Sequence, residues 1–418
     1  MLTLADIEAA SKAVYGAAIV TPVLESYALS QRAGAAVHLK AECLQHTGSF
    51  KVRGAGARIS RLAPQERAQG VVTASAGNHA QGVAVAAAAA GVSATVVMPA
   101  NAALAKVQAT RAYGARVILK GAGFSEATDE ASRIAAAEGR IMIPAFDDEA
   151  IIAGQGSLGL EIARQCPDAK LVLVPVGGGG LIAGIAVALK ALLPGVTVVG
   201  VQAEASPGAA RSLSAGGRLA VTPAPTLADG VAVAGPGALT FPLIQRYVDD
   251  IVTVDEEDIA QAIVLLLERS KLVVEGAGAL GAAALMSGTV KAEGRETVVV
   301  LSGGNIDINL LASVVQHGLL GAGRYFTLTV GIEDTPGKLA ALLKTVADEG
   351  ANVLEVSHLR QGVHMPLRGV VVRLLVETRD HAHIEELASA LKTAGYAETV
   401  VDATSRSYRP ANWGDGQA

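Results

Sequence analysis

The sequence predicts an α/β protein, an open and largely parallel sheet architecture followed by a smaller ferredoxin-like βαββαβ unit. Three observations carry this. Apolar strand-length runs alternate with helix-length amphipathic segments to about residue 320, glycine-rich turns follow several of the strands, and the order of elements changes from about residue 325. Strands separated by helices pair in parallel with helices on both faces, whereas the order strand, helix, strand, strand, helix, strand is that of the split unit. At 418 residues the chain exceeds what one core sustains, because cores stop growing near ~250–300 residues. Two domains are expected, residues 1–320 and 325–403.

Asp6 is expected to cap a first helix reaching to about Ala18. "VHLKAE" (37–42) then reads as a strand. The alternation continues as strand 70–75, helix 78–91, strand 93–99, helix 101–114, strand 115–121, helix 124–139 and strand 141–146. It resumes with helix 154–166, strand 171–177, helix 180–193 and strand 197–204, and "DIVTVDEEDIAQAIVLLLERS" (250–270) and "TVVVLSGG" (297–304) extend it. Ligands of such sheets bind outside the carboxyl ends of the strands, where the glycine-rich turns fall. "QHGLLGAGR" (316–324) marks a joint. Beyond it come strand 324–332, helix 336–350, strands 351–359 and 369–377, helix 381–395 and strand 397–403, and the tail "RPANWGDGQA" (409–418) is expected to be disordered.

Composition narrows the function. The net charge of −5 is mild and no basic run is present, so neither nucleic acid nor an anionic membrane is an expected partner; small molecules are. Cys43 and Cys166 have no paired spacing, which indicates neither a disulfide framework nor a zinc site and fits a reducing cytoplasm. "MLTLADIEAASK" lacks the basic lead and apolar core of a signal peptide. No run approaches the ~20 strongly apolar residues of a membrane span.

"HTGSFKVRGA" (46–55) places one lysine between a hydroxyl-rich approach and an arginine. Thr47 or Ser49 is expected to cap a helix whose first turn contains Lys51. A lysine amine is nucleophilic only when unprotonated, and burial or a neighbouring cation such as Arg53 lowers its pKa. Such a lysine can form a Schiff base, although a lone lysine at a helix start is more simply a surface residue.

"GGGGL" follows the apolar strand "LVLVPV" and opens a helix, so the amides of Gly177, Gly178, Gly179, Gly180 and Leu181 can form a nest for a phosphate. A flexible linker is not normally bracketed in this way, and the G-x-G-x-x-G pattern of a dinucleotide site is not met, since "GLIAG" follows. In "SAGNHAQG" (75–82), Ser75, Gly77, Asn78 and His79 can present a hydroxyl and amides at a helix start, a seat for a substrate carboxylate. His79 is a general base on one reading and a capping or buried histidine on the other.

Four motifs therefore follow the lysine in order: "SAGNHAQG", "GGGGLIAG" (177–184), "EGAGA" (275–279) and "LSGGN" (301–305). Over about residues 5–320 the sequence resembles the pyridoxal-phosphate enzymes of the tryptophan-synthase-β type, fold type II with two open parallel α/β subdomains. Within them it resembles the threonine dehydratase and serine racemase family. The resemblance implies pyridoxal 5'-phosphate held through its aldehyde at Lys51, with Phe50 packed on the ring and Asn78 bonded to the ring hydroxyl. Gly177 to Gly180 would hold the phosphate and Ser302 would face the pyridine nitrogen. A hydroxyl there does not keep the nitrogen protonated as a carboxylate would, which favours β-elimination over transamination.

The implied activity is that of a threonine ammonia-lyase, turning L-threonine into 2-oxobutanoate and ammonia and L-serine into pyruvate, with the freed Lys51 as base at Cα. Ala76 stands where the similar racemases carry a serine that supplies a proton from the opposite face, which demotes racemisation. A serine- or hydroxyaspartate-directed lyase, a racemase and a catalytically silent amino-acid sensor are the alternatives. Glu204 matches the first carboxylate of the racemases' cation site, but Ala210 falls near the second, so no metal is expected; Glu204 reads as a surface residue, with a structural ion held by Glu204 and carbonyl groups as the alternative. Glu275 either orients the ring end of the site or caps a turn.

Residues 325–403 resemble an ACT domain, a small amino-acid-sensing module, with "GIEDTPGKL" (331–339) matching its strand-to-helix turn. Asp334 caps the helix, Pro336 suits its first turn and Gly337 leaves room for a ligand or a neighbouring chain. The resemblance implies an amino-acid effector, with isoleucine as the natural one if 2-oxobutanoate feeds isoleucine synthesis, and a homodimer or homotetramer.

Overall fold

The computed structural model describes residues 2–360, 369–396 and 399–402. It divides into two units, Met1–Leu310 and Leu311–Ala418. The division falls near the start of helix Ile308–Gly321, which runs on into the glycine-marked joint at 316–324. The tail expected to be disordered lies outside the described residues.

The first unit holds two sheets. The larger contains β1 (Val23–Glu25), β2 (Val37–Ala41), β7 (Leu171–Pro175), β8 (Thr197–Ala203), β9 (Asp250–Val254) and β10 (Thr297–Leu301), in the order β1-β2-β10-β7-β8-β9. All its pairings are parallel except that of the short edge strand β1, which is antiparallel to β2. The smaller contains β3 (Val71–Ala74), β4 (Ala94–Met98), β5 (Arg116–Leu119) and β6 (Ile141–Met142), parallel throughout in the order β5-β4-β3-β6. β2, β7 and β10 are neighbours in the sheet although far apart in sequence. The segments that leave their carboxyl ends therefore converge, which is where an open α/β sheet binds its ligand.

Local chemistry explains most of the differences from the expected elements. Thr3, not Asp6, is the first N-cap. Its hydroxyl accepts from the Asp6 amide and the Asp6 carboxylate accepts from the Thr3 amide, a capping box, and the helix ends at Val14. The helix expected from residue 154 begins at Glu149, because Asp148 accepts from the amides of Ala150 and Ile151. β6 is correspondingly cut to two residues.

Abundant alanine and glycine with few aromatics let helices meet backbone to backbone. A Cβ on Gly184 would lie 2.4 Å from the Ile152 carbonyl and 2.6 Å from the Gly156 amide. Helices Glu149–Gln165 and Gly180–Leu192 thus approach at a distance only glycine permits. Val172, Val174, Ile182, Ile185 and Val298 close the core around them.

The second unit is a four-stranded antiparallel sheet of β11 (Tyr325–Glu333), β12 (Asn352–Leu359), β13 (Gly369–Glu377) and β14 (Thr399–Asp402), in the order β12-β13-β11-β14. Helices Lys338–Asp348 and His381–Thr393 follow β11 and β13, giving the expected βαββαβ order. Phe326, Leu328 and Val330 alternate with partly exposed residues on β11, and Val370, Val372, Leu374 and Val376 do so on β13. One face packs on Leu342, Val346, Leu387 and Leu391. The N-cap of the first helix is Gly337, at φ 90, rather than Asp334.

Candidate active site

A cavity of about 440 Å³ opens among the carboxyl ends of β2, β3, β7 and β10. Lys51, Asn78, Gly177 to Leu181 and Ser302 all line it, as do Phe50, Ser75, Gly77 and His79. Every site residue expected from the sequence is therefore present at one place, and Glu275 joins them.

Lys51 is the first residue of helix Lys51–Ser60. The N-cap is Phe50, with no side-chain cap, so neither Thr47 nor Ser49 plays the expected part. Thr47 Oγ1 instead donates to the Ser49 carbonyl at 3.2 Å, and Ser49 forms a bridge to Gly303. The Phe50 amide donates to the Ser302 carbonyl at 3.1 Å. The lysine loop is thus laced to the turn after β10 by backbone bonds, and a Cβ on Gly82 would lie 2.9 Å from the Lys51 carbonyl carbon. That contact brings the Asn78 helix directly against the lysine.

The Lys51 amine donates to the Ala145 carbonyl at 3.1 Å and lies 5.1 Å from the centre of the Phe50 ring. Some of the side chain remains accessible, but on the cavity wall, and burial lowers the amine pKa to about 8 against the opposing pull of Glu275. Arg53 is not the cause. Its guanidinium is spent on Glu42 and Glu161 in a sealed network.

Helix Asn78–Ala89 starts at the cavity with Gly77 as its N-cap. The Gly77 amide is turned onto Ser75 Oγ at 3.2 Å. His79 is buried, and its Nε2 lies 3.0 Å from the Ile143 carbonyl, which can only accept, so Nε2 carries the proton. Burial first, and then the charge of Lys51, push the imidazole down to about 3. It is a neutral packing group, as the second reading of this residue expected. Asn78 Nδ2 donates to Glu275 Oε1 at 2.7 Å. Glu275 occupies the N-cap position of helix Gly276–Met286 without a side-chain cap bond, and its carboxylate lines the cavity. Burial, then Asp229, raise its carboxyl to about 7.

The glycine turn is built for close approach. Gly179 has φ 92 and is the N-cap of helix Gly180–Leu192, while a Cβ on Gly178 would lie 2.4 Å from the Phe146 ring. Among the described residues the amides of Gly177 to Leu181 find no protein acceptor. They form a row of donors at a helix N-terminus, where an anion is stabilised. Ser302 is 2% exposed and lines the same cavity. Glu204 is exposed and away from this site. Phe146, Lys106 and Asp229 were not legible as site residues. Lys106 Nζ lies 3.4 Å from Asp229 Oδ2, and both line the cavity.

An amine of lowered pKa, a nest of free amides and a buried hydroxyl around one cavity suit a molecule with an aldehyde, a phosphate and a polar ring atom. The donor set fits pyridoxal phosphate, and the fold and site together define a fold type II enzyme of that cofactor. The family model described as "Pyridoxal-phosphate dependent enzyme" matches residues 14–304, and the chain belongs to this family.

The chain is 46% identical over 401 residues to a protein of Thermotoga maritima named L-threonine ammonia-lyase, a match covering 96% of this chain and 100% of that one. Among solved structures it is similar to threonine deaminase isoform 2 from Solanum lycopersicum, with TM-score 0.72 and 39% identity over 75% of this chain and 91% of that one. Maize serine racemase gives TM-score 0.72 and 33% identity, covering 76% and 98%.

Proposed function

We infer that the protein is a threonine ammonia-lyase, releasing 2-oxobutanoate and ammonia from L-threonine and pyruvate and ammonia from L-serine. The observation that carries this is the Lys51 amine, lowered to about 8, in the same cavity as the Gly177–Leu181 amides and Ser302. The names of the relatives in Thermotoga maritima and Solanum lycopersicum support it.

Pyridoxal phosphate, when bound, supplies an aldehyde that condenses with a primary amine and a ring that accepts the electron pair left at Cα. The remaining work belongs to the chain. Gly177, Gly178, Gly179, Gly180 and Leu181 would direct their amides at the phosphate. Phe50 would pack beside the ring, Asn78 would donate to the ring hydroxyl, and Ser302 would offer its hydroxyl to the pyridine nitrogen. Lys51 would hold the aldehyde at rest and then, as a free amine, take the proton from Cα of the substrate. Its lowered pKa matters here, because an amine that is about half neutral near pH 8, where an ordinary lysine is almost wholly protonated, can accept that proton. The neutral His79 would not compete as a base, and with Ser75, Gly77 and Asn78 it would shape the seat of the substrate carboxylate.

The likeness to maize serine racemase favours a second reading, racemisation. Against it, Ala76 lines the cavity with a methyl group where a proton donor for the opposite face is required. Residues 325–403 read as an ACT domain, with isoleucine as effector and assembly as a homodimer or homotetramer. Among the described residues no helix is long and apolar enough to cross a membrane, and we place the enzyme in the cytoplasm.

The deciding experiment is 2-oxo acid release from L-threonine, L-serine and hydroxyaspartate, compared by kcat/KM. Threonine is expected to lead. A clear preference for serine or hydroxyaspartate would overturn the specificity, and absence of 2-oxo acid with conversion of L- to D-serine would establish the second reading.

A further inference from the structure

The amide of Asn78 has two orientations that differ in which end faces the cavity, and the protein settles the choice through a residue outside the cavity. Asn305 Nδ2 lies 2.7 Å from the Thr47 carbonyl and 2.7 Å from Asn78 Oδ1. A backbone carbonyl has no proton to give, so the NH2 end of Asn305 must face Thr47. The second proton of that NH2 then points at Asn78, which must meet it with its oxygen. The NH2 end of Asn78 is thereby turned the other way, where it donates to Glu275 Oε1 at 2.7 Å. Each assignment forces the next, and the chain of bonds ends at Asn78 and Glu275, both on the cavity wall.

Asn305 is itself held in register with the lysine loop. The Gly304 amide donates to the Gly48 carbonyl at 2.8 Å. A Cβ on Gly48, which has φ 68, would lie 2.5 Å from Asn305 Oδ1, so the loop that delivers Lys51 folds closely over the Asn305 side chain. One amide thus touches the turn before Lys51, the turn after β10 and the first residue of the Asn78 helix.

We propose that Asn305 is a positioning residue that locks the Asn78 amide with its NH2 group toward the cofactor, fixing a donor where the ring hydroxyl requires one. This rests on the cofactor reading above and deepens it. Asn305 does no chemistry and acts only through Asn78. In Asn305→Asp the proton-donating end is lost while the shape is kept. Asn78 would then turn its NH2 to the new carboxylate and present its oxygen to the cavity, beside Glu275. Asn305→Ala would leave the Asn78 amide held from one side alone, by Glu275, without the second partner that fixes its oxygen end.

The test measures pyridoxal phosphate affinity of the apoprotein, by absorbance titration, for the wild type, Asn305→Ala, Asn305→Asp, Asn78→Ala and the double variant Asn78→Ala/Asn305→Ala. Loss of one oriented hydrogen bond weakens binding about tenfold. Asn305→Ala and Asn305→Asp are expected to show at least that loss, with a shifted absorption maximum of the bound cofactor, while the double variant binds no worse than Asn78→Ala alone. Independent losses that multiply in the double variant would overturn the proposal, because a residue acting through Asn78 has nothing to lose once Asn78 is gone. So would a lowered melting temperature of Asn305→Asp with wild-type affinity and spectrum, which would make the residue merely structural. A wild-type apoprotein that takes up no pyridoxal phosphate would overturn the cofactor reading, and this inference with it; wild-type binding with additive variants would overturn this inference alone.

Discussion

Arg53 Nη1 donates to Glu161 Oε1 across 2.6 Å, with the two side chains 0% and 1% exposed. Glu161 also receives Lys40 Nζ at 2.6 Å, and Glu42 receives Arg53 Nε at 2.7 Å. Two cations and two carboxylates are thereby sealed behind the helix that begins at Lys51, tying it to the end of β2 and to helix Glu149–Gln165. Burial of these charges is costly, and the network is tolerable only because each has an opposite partner and further hydrogen bonds.

Removing one member should therefore cost far more than a surface ion pair would. Arg53→Met leaves Glu42 without its guanidinium and Glu161 with Lys40 and the Tyr15 hydroxyl, and is expected to destabilise the protein by about 3–5 kcal/mol. Denaturant unfolding checks this. A loss below about 1 kcal/mol, the range of an exposed pair, would contradict the tie.

The amine pKa sets a pH dependence. Only neutral Lys51 adds to an aldehyde, so the rate of pyridoxal phosphate capture by the apoprotein should rise with pH through a midpoint at about 8, where an ordinary lysine would still be climbing toward 10.5. Stopped-flow absorbance gives the profile, and a rate still rising in proportion to hydroxide well above pH 8 would contradict it. Stability carries the matching sign. The folded pKa lies below the unfolded one, so the unfolded chain binds more proton between them, and this group's contribution to stability improves as pH rises from about 8 to 10.5.

The glycine turn predicts a loss at Gly178. A Cβ there would lie 2.4 Å from Phe146 Cδ2, and displacing that ring narrows the cavity it lines. Gly178→Ala is expected to cost about 1–3 kcal/mol through overpacking, and by the same displacement to weaken pyridoxal phosphate binding. Equilibrium dialysis against the cofactor tests the second part, and unaltered affinity would mean that the turn does not hold the phosphate.

Much of this site is legible in the sequence because its parts are local. The four glycines and Ser302 each follow a strand-like run, which suggests a turn that presents backbone or a small side chain, and Lys51 opens a helix-like run. What escapes the sequence is what crosses it. Arg53 reads as a neighbour able to depress Lys51, yet its partners Glu42 and Glu161 come from separate elements, and no spacing announces them. Phe146 has the look of a strand residue, because the cap at Asp148 that ends the strand early is a single side chain. Asn305 closes a quoted motif, but its meaning depends on Thr47 and Asn78 being adjacent in space. The βαββαβ unit is legible throughout its described residues, since alternation on β11 and β13 follows directly from one covered face.

The regulatory reading predicts that isoleucine raises the threonine concentration needed for half-maximal rate by about fivefold or more, in keeping with ordinary coupling between sites. Initial-rate titrations at fixed isoleucine check this. A flat response would assign the second unit to another ligand or to assembly alone.

The most direct test of the central claim is chemical. Borohydride reduction of the cofactor-loaded protein, followed by peptide mass spectrometry, should find a phosphopyridoxyl group on Lys51 and on no other lysine in stoichiometric amount. Full labelling at a different lysine, or an active enzyme with none, would contradict the assignment of this amine and the function built on it.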